Sequence, residues 1–156
     1  MLAVDLGIKT GLVLYGRDGR LCWYRSKNFG SAARLRRGIY GLLREIPELT
    51  RIVLEGGGSV ADIWEREAGR MAVPVRRISA EDWRRMLFYP REMRSGVQAK
   101  QNAVEMARRV IEWSGASRPT SLRHDAAEAI LVGLWGVVDA GWLGNVPPEV
   151  SVASPK

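Results

Sequence analysis

Three short stretches hold acidic residues where acids are costly. Asp5 follows the apolar run Leu2-Ala3-Val4 and precedes Leu6-Gly7. Glu55 follows Ile52-Val53-Leu54 and runs into Gly56-Gly57-Gly58. His124-Asp125-Ala126-Ala127-Glu128 opens a segment that stays apolar to Trp135. An acid in such surroundings is unfavourable unless it is paired or bound to a metal. Each also has a plain reading. Asp5 can be a turn residue capping a hairpin, and Glu55 a strand-ending acid that meets solvent. Asp125 and Glu128 can be helix-start acids that gain roughly 0.3–1 kcal/mol each from the macrodipole. Taken together they point to more. Two strand-end acids on adjacent parallel strands point the same way, and a helix over that edge adds one or two. Asp125 and Glu128 share a helix face, and His124 and Glu128 lie on one side at a spacing of four. Clustered carboxylates repel each other, and a hard divalent cation such as Mg²⁺ resolves the conflict. Sites that hold two such ions about 3.5–4 Å apart cleave phosphodiesters by in-line attack.

The elements around these acids follow from pattern and punctuation. Residues 1–5, 11–16 and 21–25 read as three antiparallel strands, with Asp18-Gly19 as a hairpin turn. Residues 31–45 read as a helix capped by Ser31, with Ala33, Leu35, Ile39, Leu42 and Leu43 near helical spacing, ended by Pro47. A buried strand follows over 51–54, a helix over 60–71, and a strand over 73–77 that tolerates Pro74 at its start or at an edge. Ser79 opens a short helix to about Leu87, in which Trp83 is expected to anchor the core. Residues 88–97 read as a basic loop. Residues 98–113 form an amphipathic helix with Ala103, Met106, Val110 and Ile111 inward and Arg108 and Arg109 outward. Residues 123–139 form a helix that is apolar all round and therefore buried. The order β-β-β-α-β-α-β-α-α-α implies an α/β fold: a mixed sheet of five strands, a meander plus parallel strands, flanked by helices.

Length and composition set the limits. The 156 residues suit one domain with a substantial core, here expected over 1–143, with 144–156 as a mobile tail. One cysteine, Cys22, excludes an internal disulfide framework, and one histidine, His124, excludes a multi-histidine metal site. No apolar run is long enough to span a membrane. The sequence opens directly on strand-like MLAVDL, so no targeting segment is expected, which favours a cytoplasmic setting without excluding an organellar or viral one. The net charge is +7, and twenty of the 24 cations are arginine. That balance suits DNA or RNA, because the guanidinium fork binds phosphate bidentately. Arg76, Arg77, Arg84, Arg85, Arg91, Arg94 and Lys100 lie in or near the loop before the long amphipathic helix. As a cluster they would let a nucleic acid approach an acidic edge, although any one of them reads equally as a solvated charge.

The acid set resembles that of the RuvC-type Holliday-junction resolvases of the ribonuclease H-like superfamily. The resemblance rests on Val4-Asp5-Leu6-Gly7 with Thr10-Gly11, on Glu55 after Ile52-Val53-Leu54, and on Asp125-Ala126-Ala127-Glu128-Ala129. Gly96, Lys100, Ala103 and Met106 match the lysine-bearing helix of that family, and the likeness runs in order over most of residues 1–139. It implies a five-stranded mixed sheet, Mg²⁺ or Mn²⁺ with two ions per site, and a homodimer. The implied activity is paired nicking of four-way DNA junctions, leaving 5′-phosphate and 3′-hydroxyl ends, in recombination and repair near the nucleoid. Carried over, Asp5 would bridge two metals, and Glu55 would hold one and orient the attacking water. Glu128, with Asp125 or His124, would complete the site, and Lys100 would contact the scissile phosphate or the nucleophile. A histidine four residues before the last glutamate is also similar to the chloroplast resolvase branch.

Two features depart from the bacterial resolvases. The turn after Asp5 is shorter and lacks a proline. Glycine stands after Glu55 where those proteins carry an aromatic junction wedge. Trp64 is either that wedge or a core residue, and the helix over 60–71 is the expected dimer face. Two other readings stay open. Asp5-Leu6-Gly7-Ile8-Lys9 also resembles the ribosomal-RNA maturation nucleases of the superfamily. A domain that binds branched nucleic acid without cutting it is the non-enzymatic alternative.

Overall fold

The computed structural model describes residues 1–7 and 9–151. Five strands form one sheet: β1 (Leu2–Asp5), β2 (Lys9–Tyr15), β3 (Leu21–Asn28), β4 (Ile52–Glu55) and β5 (Val75–Ile78). Their order is β3-β2-β1-β4-β5. β1, β2 and β3 pair antiparallel, and β4 and β5 join parallel. The expected mixed sheet is therefore present, with β1 at its centre. Its residues explain that place: Leu2, Ala3 and Val4 are fully buried, as in a strand covered on both faces.

Alternation along the strands sends side chains to two cores. Leu2, Val4, Leu12, Ile52 and Leu54 face α1 (Ala32–Glu45) and α2 (Gly58–Arg70). Ala3, Val13, Tyr15 and Val53 face α3 (Ala80–Leu87), α4 (Gly96–Ser114) and α5 (His124–Asp139). Trp64 is completely buried in the first core and Trp83 almost so in the second. Trp64 is thus a core residue, and the wedge reading of it does not hold. A tryptophan locked between α2 and the sheet has no side chain to offer a junction. Trp83 anchors α3 as its sequence suggested.

The lengths differ from expectation in instructive places. β3 runs on to Asn28, because β2 pairs with it throughout, from Tyr15↔Leu21 to Lys9↔Asn28. The polar stretch Ser26-Lys27-Asn28 carries no strand pattern of its own. Within the basic loop, Pro90–Met93 form a 3-10 turn. The segment from 144 to 151 folds back onto the domain: Val150 is fully buried in the second core, and Arg109 Nη1 donates to the Ser151 carbonyl at 2.9 Å. The domain therefore continues past residue 143, because Val150 is part of the second core. Arg109, expected to point outward, holds that return. Of the expected tail, residues 152–156 lie outside the described residues.

Candidate active site

Asp5 and Glu55 are the last residues of β1 and β4, paired directly across the parallel ladder. In-register neighbours on parallel strands project to one face, here the one that carries Ala3 and Val53 and is covered by α5. The chain leaves β4 through Gly56 and Gly58, whose φ values of 118° and 70° favour glycine. That turn ends the strand abruptly at its acid and starts α2.

The third acid arrives from above. α5 crosses the sheet on β1 and β2 with its first turn over Gly11, the partner of Asp5 on β2. A Cβ on Gly11 would overlap the Asp125 carbonyl oxygen and sit 2.8 Å from the Ala129 methyl. Glycine here lets the helix come close enough for Glu128 to reach the strand ends. Carboxylate oxygens of Asp5, Glu55 and Glu128 then all lie within 4.8 Å of one another.

Burial and like charge act together on this trio. Burial, then Glu55, Glu128 and Asp125, push the Asp5 carboxyl up to about 8. Glu55 is also raised, first by burial and then by Glu128, against the opposing pull of Arg84. The Trp83 indole N–H lies near enough to favour ionised Glu55, but short of a well-aligned hydrogen bond. One cation enters the cluster: Arg84 Nη2 stands 3.3 Å from Glu128 Oε1, with its guanidinium over the Trp83 ring at 5.0 Å. Arg84 Nε is buried without a partner among the described residues.

The other expected site residues are placed differently. Asp125 lies close enough to raise Asp5, but its carboxylate accepts a hydrogen bond from Ser26 Oγ on β3 and is outside the trio. His124, the first residue of α5, is exposed. Lys100 is exposed on the second turn of α4. Of the expected phosphate contacts, Arg76 pairs with Asp139 at 2.7 Å, and Arg77 with Asp62 and Glu65, each at 2.5 Å. Arg85 pairs with Glu81, and Arg91 lies over Tyr89. Arg94 and Lys100 make no ion pair among the described residues. Sequence reasoning missed Ser26, which has no motif around it, and the counterion role of Arg84. Gly11 stood in the quoted motif, but only packing shows why it must be glycine.

Three half-buried carboxylates within reach of one another, with Asp5 and Glu55 raised by burial and neighbouring charge, are an oxygen donor set that fits a hard divalent cation. Asp5, Glu55 and Glu128 would hold it, and it would polarise a phosphoryl oxygen and offset charge there.

No protein-family model and no curated protein matches the chain at a significant level. Solved structures do. RuvC of Thermus thermophilus in complex with a Holliday-junction substrate superposes with a TM-score of 0.60 at 15% identity, covering 90% of this chain and 94% of that one. A second T. thermophilus RuvC structure gives 0.59 at 16%, covering 90% and 95%. At that identity the likeness speaks for architecture, and over nine-tenths of its length this chain has the ribonuclease H-like fold of RuvC.

Proposed function

We propose that this protein is a metal-dependent endonuclease that resolves four-way DNA junctions. The observation that carries the reading is the trio Asp5, Glu55 and Glu128, assembled from two strand ends and one helix on a RuvC-like fold. Asp5, in register with Glu55 and raised by both other acids, would hold the metal and is the group most relieved when the charge is neutralised. Glu55 would hold metal and orient the attacking water, with Arg84 and the Trp83 N–H offsetting part of the rise that burial and Glu128 impose on its carboxyl. Glu128 completes the ligand set from α5. Asp125, fixed by Ser26, adds negative potential from the side. His124 and Lys100, both exposed, would be free to meet the substrate. Mg²⁺ is the expected ion, with Mn²⁺ as its substitute. Paired symmetric nicks leaving 5′-phosphate and 3′-hydroxyl ends need two sites related by a two-fold axis, hence a homodimer on the junction. A cytoplasmic, nucleoid-associated setting goes with that substrate.

The test is cleavage of a labelled mobile four-way junction beside its linear arm and an RNA hairpin, with Mg²⁺ or EDTA. Symmetric nicks in the junction alone, lost in EDTA and reduced at least ~100-fold by Glu55→Gln or Glu128→Gln, are expected. Cleavage of the RNA alone would move the function to RNA maturation. Tight binding with no cleavage under any divalent metal would leave a binding domain. A monomeric sedimentation mass on the junction would refute paired incision.

A further inference from the structure

The charge accounting leaves a cationic cluster on the other side of the sheet. Arg36 and Arg37 of α1 and Arg66 and Arg70 of α2 line a cleft of about 360 Å³ with Tyr40 and Glu67. It lies over the core formed by α1, α2 and the Leu2–Val4 face, whereas the acid trio faces α5. Arg36, Arg37 and Arg66 make no ion pair among the described residues. The only acid in the cleft, Glu67, is 5% exposed, and both its oxygens accept from Arg70 Nη1 at 3.2 Å. Glu67 thus engages one guanidinium nitrogen of Arg70, Nη1, while the arginine side chain stays 65% exposed. Arg66 and Arg70 are one turn apart on α2, a like-charge spacing that weakens a helix by about 0.2–0.5 kcal/mol. Four converging arginines against one buried carboxylate leave a net positive cleft. Their planar donor forks match phosphate oxygens.

We propose that this cleft is a second nucleic-acid contact, which grips duplex phosphates outside the segment placed at the acid trio. The proposal builds on the nuclease reading, since it takes the trio edge as the place of cutting. Of the expected track, Arg76, Arg77, Arg84 and Arg85 are engaged by carboxylates of the domain itself, which leaves Arg91, Arg94 and Lys100. Arg36, Arg37 and Arg66 are three further cations without an ion pair among the described residues, and they are gathered in one cleft. A substrate with several arms can meet both sides of the sheet, so the cleft adds affinity for branched over single-armed nucleic acid without touching the reacting phosphate.

The test compares wild-type protein with Arg36→Gln/Arg66→Gln, one change from each helix. Arg17→Gln/Arg118→Gln removes the same charge elsewhere and serves as control. Binding to a labelled four-way junction is measured by anisotropy in EDTA across salt concentrations. Loss of two phosphate contacts should lower the slope of log K against log salt by about 1.8 and weaken binding roughly ten- to fifty-fold near physiological salt. The control should change neither to that extent. The single-turnover cleavage rate at saturating protein should stay as in wild type. An unchanged slope and affinity would overturn the proposal. So would a lower saturating rate with binding intact, or a loss of self-association with DNA binding intact, the last pointing to a protein partner. If wild-type protein cuts nothing yet binds the junction through these arginines, the cleft stands and the nuclease reading falls. Cleavage with no arginine dependence is the reverse.

Discussion

Replacing Asp5 with asparagine should stabilise the metal-free protein at pH 8 while removing any metal-dependent activity. The reasoning starts from the strand end. The Asp5 carboxyl ionises near pH 8 in the fold, held up by burial and by Glu55, Glu128 and Asp125, and near 3.9 in an unfolded chain. Between those values the unfolded chain has released this proton and the folded one has not. The folded state binds more protons, so stability is full below about pH 4 and is lost as pH rises towards 8. The slope is at most about 1.4 kcal/mol per pH unit. Water at the half-buried edge screens part of it, leaving roughly 2–4 kcal/mol at pH 8. In a protein of this size that is a shift of some 5–15 °C in midpoint temperature. The assay is thermal unfolding in EDTA at pH 5 and pH 8 for wild type and Asp5→Asn. Wild type should lose most of that stability between the two pH values and the variant much less. Excess Mg²⁺ at pH 8 should restore wild type and leave the variant unmoved. A wild-type midpoint that is flat from pH 5 to 8 would refute the idea that the three acids are held against their own repulsion. Equal Mg²⁺ responses in the two proteins would refute Asp5 as a ligand.

Two further outcomes follow from the same packing. Gly11→Ala should lift the first turn of α5 off β2, because its methyl overlaps the Asp125 carbonyl oxygen. The expected cost is about 1–3 kcal/mol in urea unfolding, together with a loss of Mg²⁺ binding by calorimetry. Normal Mg²⁺ affinity in Gly11→Ala would show that close helix approach is not what assembles the trio. Arg84→Gln removes the one cation beside Glu128. It should lower stability in EDTA at neutral pH yet tighten Mg²⁺ several-fold, since the ion no longer competes with a guanidinium. Weaker Mg²⁺ binding would mean that Arg84 holds Glu128 in its ligand position instead of competing for it.

Much of the fold was legible because its signals are local. Leu2-Ala3-Val4 and Ile52-Val53-Leu54 are short apolar runs of the kind that strands buried on both faces require, and both lie in the middle of the sheet. The all-apolar stretch from Ala129 to Val137 is a helix because only a buried helix tolerates it, and it lies between the sheet and α4. Asp5, Glu55 and Glu128 could be picked out because each breaks an apolar pattern. What stayed hidden depends on contacts far apart in sequence. Ser26 meets Asp125 across 99 residues, on a part of β3 whose polar side chains read as loop. Val150 reaches the core through a segment rich in proline and lacking periodicity, so nothing local marks it as packed. A lone apolar residue after a helix is indistinguishable in sequence from a surface one.

The arginines show the same limit most clearly. Composition and sequence clustering picked out the run from Arg76 to Arg94, because those residues are close in the chain. Folding changes which of them are available. Arg77 is drawn onto Asp62 and Glu65 of α2, Arg76 onto Asp139 of α5, and Arg84 onto Glu128. These pairs tie β5 and α3 to their neighbours, and a phosphate would have to displace a carboxylate to use them. Arg36, Arg37 and Arg66 were unremarkable in sequence, since they fall on two helices some thirty residues apart. Once α1 packs against α2, they converge on one cleft with a single buried acid among them. Net charge is fixed by composition, but the charge offered to a polyanion is what remains after the fold has paired its own. By that measure the cleft behind the sheet offers Arg36, Arg37 and Arg66, and the expected track keeps only Arg91, Arg94 and Lys100 of its seven cations without an ion pair among the described residues. An acidic edge with few free cations holds phosphate weakly until its own charge is neutralised. Divalent metal should therefore strengthen junction binding in the wild type and do so much less in Asp5→Asn.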